Sequence, residues 1–148
     1  MSLIVLDASV AVKWFLPEKV ETLAAEALAL LDRCGKNEIQ IIVPDLFWVE
    51  FASVLWKAIR RGNFPKASAN AALAYLKRFD FPTVPSLKLL DSAFEIATAY
   101  GRTVYDSLYV ALAVQTNSQF ITADERLANS LAAHFPVKSL GSVWNFNQ

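Results

Sequence analysis

The chain has 148 residues, 55% of them hydrophobic and 12% aromatic, enough apolar material for a buried core and incompatible with a disordered chain. Lys and Arg number 14 and Asp and Glu 14, so the net charge is zero. That balance excludes a broad, sequence-independent grip on nucleic acid, which needs a basic surface, but not a local basic groove. The single cysteine, Cys34, excludes an internal disulfide and fits a reducing cytosol. The apolar N-terminus lacks the positive region of a signal peptide, and no stretch approaches ~18 uninterrupted apolar residues. The expectation is a soluble, cytoplasmic, single-domain protein over residues 1–148, with no membrane association.

In chain order, Leu3-Ile4-Val5-Leu6 is an unbroken apolar run ending in Asp7, which predicts a strand covered on both faces. Ser9 is the expected N-cap of a short helix, Val10 to Leu16, that Pro17 stops. Apolar positions at helical spacing predict a second helix from Val20 to Arg33. Ile39 to Val43 reads as a strand, and Asp45 as the cap of a long helix from Leu46 to Arg61. A further helix is expected from Pro65 to Phe79, then an extended connector or edge strand around Phe81–Pro85. Ser86 is the expected cap of a helix from Leu87 to Tyr100, ended by Gly101; Thr103 that of a helix from Val104 to about Thr116. Gln119–Thr122 reads as a strand, Asp124–Ala133 as a helix and Val137–Leu140 as a last strand. Strands alternating with helices place the chain in the α/β class with a mainly parallel sheet.

In open α/β sheets the working crevice lies outside the carboxyl ends of the strands. Asp7 and Asp124 both follow apolar strands there. Glu50 projects from a helix that is apolar nearly all round, with Leu46, Phe47, Ser53 and Val54 as helical neighbours. Asp106 lies in the first turn of Val104-Tyr105-Asp106-Ser107-Leu108-Tyr109-Val110-Ala111-Leu112-Ala113, which is too apolar for a surface helix. Taken singly, each acid has an ordinary explanation: a helix cap, dipole stabilisation or a paired surface charge. Together they are costly, since two unit charges ~4 Å apart repel by about 4 kcal/mol at an effective dielectric near 20. Such a cluster must hold a proton, recruit a basic partner or bind a cation, and no Lys or Arg immediately flanks any of the four. Mg²⁺ or Mn²⁺, hard ions with oxygen ligands, are the economical solution.

Leu6-Asp7-Ala8-Ser9, Pro44 through Glu50, Val104 through Ala113 and Thr122-Ala123-Asp124 together resemble, in order and spacing, the successive motifs of the PIN-domain family. Within that family the likeness is to VapC-type toxins of toxin–antitoxin pairs, and it spans the whole chain. The resemblance implies a three-layer α/β/α fold. It matches Asp7, Glu50, Asp106 and Asp124 to the family's acidic metal-binding and catalytic quartet, with Ser9 and Thr122 in supporting positions. It further implies a Mg²⁺- or Mn²⁺-dependent endoribonuclease acting on an RNA substrate, dimeric and inhibited by a cognate antitoxin. Two other readings stay open: a non-catalytic PIN-fold RNA-binding or regulatory module, and an acidic phospho-acceptor domain. The latter normally needs a lysine near the end of the last strand, where this chain has Asp124.

His134, the only histidine, has no Cys or second His nearby and reads as a surface residue; Cys34 reads as a packing residue. Lys57, Arg60 and Arg61, and Lys77 and Arg78, end two helices; the dipole accounts for both clusters, with an RNA backbone grip as the functional alternative. Trp14, Phe15, Phe47, Trp48, Phe51 and Trp56 exceed what one small core is expected to hide, so a homodimer interface or an antitoxin groove is expected to use them.

Overall fold

Strand β1 (Ser2–Leu6) carries Ile4, Val5 and Leu6 with no exposure at all, a burial that only a central parallel strand between two helical layers provides. The computed structural model, which describes residues 2–145, shows why. β1 is flanked by β2 (Ile39–Pro44) and β4 (Gln119–Thr122), with β3 (Thr83–Val84) and β5 (Val137–Ser139) outside them. The order is β3-β2-β1-β4-β5 and every pairing is parallel, Ile4 lying opposite Ile41 on one side and Gln119 on the other. Helices complete the three-layer α/β/α arrangement expected from the sequence. Within the described residues no helix is long and apolar enough to cross a membrane.

The helices are α1 (Ala8–Ala11), α2 (Ala24–Gly35), α3 (Leu46–Arg60), α4 (Lys66–Lys77), α5 (Ser86–Tyr100), α6 (Val104–Gln115) and α7 (Glu125–Leu131). α6 packs on α5 and over β1, β2 and β4, and its residues Ser107 to Ala113 are all buried. That explains why the segment shows no amphipathic pattern: it has no face in water. α5 ends at Gly101, whose φ of 71° places it in the left-handed region where a side chain is strained.

Three local expectations are corrected. Asp7, not Ser9, caps α1: its Oδ1 accepts from the Ser9 amide at 3.4 Å, while the Ser9 hydroxyl accepts from the Ala123 amide at 3.1 Å. The helix is also a single α turn followed by a 3₁₀ turn at Val12–Trp14. α2 begins at Ala24, because Leu23 adopts φ 58° and breaks any helix running from Val20. Asp45 stands at the start of α3 but gives its carboxylate to the amide and hydroxyl of Ser86, so it secures the first turn of α5 instead.

The aromatic surplus is also corrected. Phe47 and Phe51 are fully buried, and Trp14, Phe15 and Trp48 pack half-buried against the core; of the six only Trp56 is exposed. Edge-to-face contacts among Phe15, Phe51 and Tyr75, and among Phe47, Trp48 and Phe81, absorb the rings. Cys34 is half-buried and unpaired, and His134 is exposed with its ring 5.1 Å from that of Tyr100.

Candidate active site

The carboxyl ends of β1 and β4 are laced together by side chains. The Asp7 amide donates to the Ile121 carbonyl at 3.0 Å, extending the ladder one step past the strand. Thr122, fully buried, donates its hydroxyl to Asp7 Oδ2 at 2.7 Å and accepts from the Asp124 amide at 3.1 Å. Asp124 caps α7 by accepting from the Leu127 amide at 3.1 Å through Oδ1. The hydroxyl at Thr122 therefore orients one acid by its proton and the other through the backbone.

Two helices deliver the remaining acids. Glu50 projects from α3, and its Oε1 accepts a 2.7 Å hydrogen bond from the Tyr109 hydroxyl on α6. Asp106 lies in the first turn of α6, where Thr103 accepts from its amide at 3.0 Å and the Arg102 guanidinium approaches its carboxylate at 3.3 Å. All four acids line one cleft of about 230 Å³, together with Ala8, Ser9, Ser53, Val54 and Lys57. Thr122 lies beneath it. Every acid singled out in the sequence thus reaches the same cavity.

The charges are felt mutually. Burial raises the Asp7 carboxyl above its ordinary value, against the Thr122 and Ser9 hydrogen bonds and with the help of the Asp106 charge. Burial likewise raises Glu50; the Tyr109 hydrogen bond opposes this, and the charges of Asp7 and Asp106 reinforce it. Burial, then the charges of Asp7 and Glu50, push the Tyr109 phenol upward, so it remains a proton donor.

The donor set is oxygen only, which suits a hard divalent cation better than a thiophilic one. Among the described residues no three acidic, His or Cys side chains are gathered closely enough to hold an ion alone. An oxygen-only donor set of this kind fits a hard divalent cation that keeps part of its own hydration shell.

Residues 4–130 match the family described as PIN domain. The chain is a PIN-domain protein. Among sequence relatives of this PIN domain, Ribonuclease VapC3 of Pyrobaculum aerophilum is 32% identical over 132 residues, covering 88% of this chain and 95% of the relative. Ribonuclease VapC9 of Mycobacterium tuberculosis is 31% identical over 121 residues, covering 80% and 94%. The crystal structure of PAE2754 from P. aerophilum superposes with a TM-score of 0.72 at 20% identity, over 98% of this chain and 88% of that one. VapBC2 from Rickettsia felis, bound to a promoter DNA fragment, gives 0.62 at 14% identity, over 93% and 98%. At such identities the structural likeness shows the fold, and the sequence relatives place the PIN domain among the VapC-type proteins.

Two partners of the cleft acids escaped the sequence reading. Tyr109 reads as core, and its hydroxyl partner lies 59 positions away. Arg102 corrects the view that the acids lack a basic neighbour: it pairs with Asp106 at i,i+4, a spacing that could have revealed it. Ser53, a helical neighbour of Glu50, and Lys57, in the basic end of the same helix, were both singled out in the sequence, and both line the cleft, three and seven residues beyond Glu50.

Proposed function

We propose that this PIN domain is a Mg²⁺- or Mn²⁺-dependent endoribonuclease, the toxin of a toxin–antitoxin pair, hydrolysing RNA phosphodiester bonds in the acidic cleft. The observation that carries the reading is the arrival of four carboxylates, from two strand ends and two helices, at one cavity. The ribonuclease names of the sequence relatives support it, as do the toxin–antitoxin complexes among the structural neighbours. Residues 1–148 act as one domain in the cytoplasm, as a homodimer held in check by a cognate antitoxin.

Asp7 and Asp106 would be the core ligands of a bound ion, Asp124 would bind it directly or through water, and Glu50 would ligate it or orient the attacking water. Thr122 and the Ser9 amide hold the Asp7 carboxylate in place at the cleft and, as donors, favour its ionised form against burial. Tyr109 fixes Glu50 against rotation and, as a neutral donor, favours its ionised form. An ion bound there supplies Lewis-acid polarisation of the scissile phosphate and a water of lowered pKa. Nothing in the cleft favours the non-catalytic alternative, since all four acids remain and face the cavity.

The test is cleavage of total RNA by the purified protein with Mg²⁺ or Mn²⁺, then with EDTA, beside Asp7→Asn. Discrete products that require the ion and vanish in the variant are expected. Full activity in Asp7→Asn, or the same products in EDTA, would overturn the assignment.

A further inference from the structure

Helix α3 joins the acidic cleft to a second groove. Glu50, Ser53, Val54 and Lys57 share one face of the helix, and Arg61 follows one turn after Lys57. The second groove, about 300 Å³, begins where the cleft ends: Val54 and Lys57 line both, and it continues past Leu16 and Val20 to Arg61. Its one acid, Glu21, is already held by the buried Lys13, whose Nζ lies 3.2 Å from the Glu21 carboxylate and also donates to the Thr22 carbonyl at 2.7 Å. Among the described residues neither Lys57 nor Arg61 has an ion-pair partner. Arg60, between them in sequence, is turned elsewhere, with its guanidinium 5.0 Å from the centre of the Trp56 ring.

The groove therefore offers two cations without an ion-pair partner, carried by residues whose backbone positions lie about one helical turn, ~6 Å, apart, along apolar walls. That is the kind of spacing on which successive phosphates of a nucleotide strand fall. A strand whose scissile phosphate lies among the carboxylates must leave the cleft, and this groove shares the cleft's wall. We propose that the groove is the track of the RNA backbone beyond the cut, with Lys57 on the phosphate adjoining the scissile one and Arg61 on the next. The proposal rests on the ribonuclease reading above. It also separates the two roles of the basic helix end: Arg60 packs, while Lys57 and Arg61 bind substrate.

The test compares Lys57→Gln/Arg61→Gln with Lys77→Gln/Arg78→Gln, an equal charge loss outside both grooves. Cleavage is measured in the parent background. Binding of a fluorescein-labelled, mixed-sequence single-stranded RNA is followed by anisotropy across a salt series, with Asp7→Asn added to each protein so that the RNA survives. Each phosphate contact to a single strand contributes about 0.7 to the slope of log K against log salt. The groove variant is expected to lose about 1.4 from that slope and to raise KM more than it lowers kcat; the control keeps the parental slope. Equal slopes in both variants, with a parent that cleaves RNA, would overturn the proposal and leave the ribonuclease reading standing. So would an unchanged RNA slope in a groove variant that no longer holds a purified acidic partner protein, which assigns the groove to a peptide. A parent that neither binds nor cuts RNA removes both readings together.

Discussion

Replacing Tyr109 with Phe removes the one oxygen that donates to Glu50 and leaves the packing otherwise whole. The ring is 2% exposed and stacks on Phe120, with centroids 5.1 Å apart and planes 13° from parallel, so Phe fits the same space. What is lost is the 2.7 Å hydrogen bond to Glu50. A hydrogen bond to a charged acceptor contributes about 1.5–3 kcal/mol. Glu50 faces the cleft, where water partly replaces the phenol, so the lower part of that range, about 1.5–2 kcal/mol, applies. For a chain of this size each kcal/mol moves Tm by about 2–4 °C, giving a fall of roughly 3–8 °C. The functional effect has a definite sign. Burial raises the Glu50 carboxyl and the Tyr109 bond opposes that rise, so removing the bond raises it further. If Glu50 works ionised, the acid limb of the pH–activity profile shifts to higher pH, and activity near neutrality falls. Differential scanning fluorimetry and RNA cleavage across a pH series give the two readouts. A melting temperature and an acid limb both superimposable on the parent's would refute the reasoning at each step.

Other outcomes follow from the same cleft. Asp7 and Glu50 are held above their ordinary values of 3.8 and 4.5 in the folded state, so folded protein keeps protons that unfolded chain has released. Stability of the metal-free protein therefore falls as pH rises from those ordinary values through the raised ones. Melting in EDTA should occur at higher temperature as the pH drops from neutrality into that window; a steady loss instead would contradict it. Asp45, which Ser86 holds below the usual range, has the opposite sign, and its contribution is lost only as pH falls below 3.8. Mg²⁺ or Mn²⁺ should raise Tm of the parent, by about 2.7 kcal/mol of stability at a hundredfold excess over Kd, and EDTA should reverse it. Asp7→Asn should show no such rise, and a parent indifferent to both ions would remove the metal from the reading. Asp106→Asn should abolish cleavage with little change in melting, since its partly exposed pair with Arg102 is worth only about 0–1 kcal/mol. A large loss of stability there would make Asp106 a structural residue.

The strands and most helices were legible because each is written locally. Ile4-Val5-Leu6 needs two apolar faces, and Thr103 offers its hydroxyl to the amide three residues on. What escaped was written at a distance. The apolar spacing of Val20 and Leu23 continues smoothly into α2, but Leu23 stands in the left-handed region and stops it. Asp45 has the sequence of a cap for α3, yet its partner is Ser86, 41 positions on, where the end of β3 meets α5. The aromatic residues of α3 looked too many for one core because Phe81, the partner of Phe47 and Trp48, comes from a connector that carries no strong signal of its own. Besides Trp56, exposed apolar side chains include Leu87 and Phe94 of α5 and Val49 of α3.

The competition between capping and chemistry, which made each acid ambiguous on its own, dissolves in the geometry. Asp7 Oδ1 takes the Ser9 amide of the first turn of α1, and Oδ2 takes the Thr122 hydroxyl. Asp124 caps α7 through Oδ1. A cap fixes one carboxylate oxygen at a helix N-terminus by a hydrogen bond from the backbone; at Asp7 the Thr122 side chain holds the other. Both caps sit at strand ends, and adjacent parallel strands bring β1 and β4 side by side in register, Leu6 opposite Ile121. The same bonds that begin two helices therefore aim two carboxylates into one cleft. This makes Asp→Asn the informative substitution: Asn keeps an oxygen for the amide and loses the charge, whereas Ala removes the cap as well, at a typical cost of about 1 kcal/mol. Loss of cleavage in Asp124→Asn with unchanged melting would separate the charge from the cap; equal losses of stability in Asp124→Asn and Asp124→Ala would show that the two cannot be separated at that position.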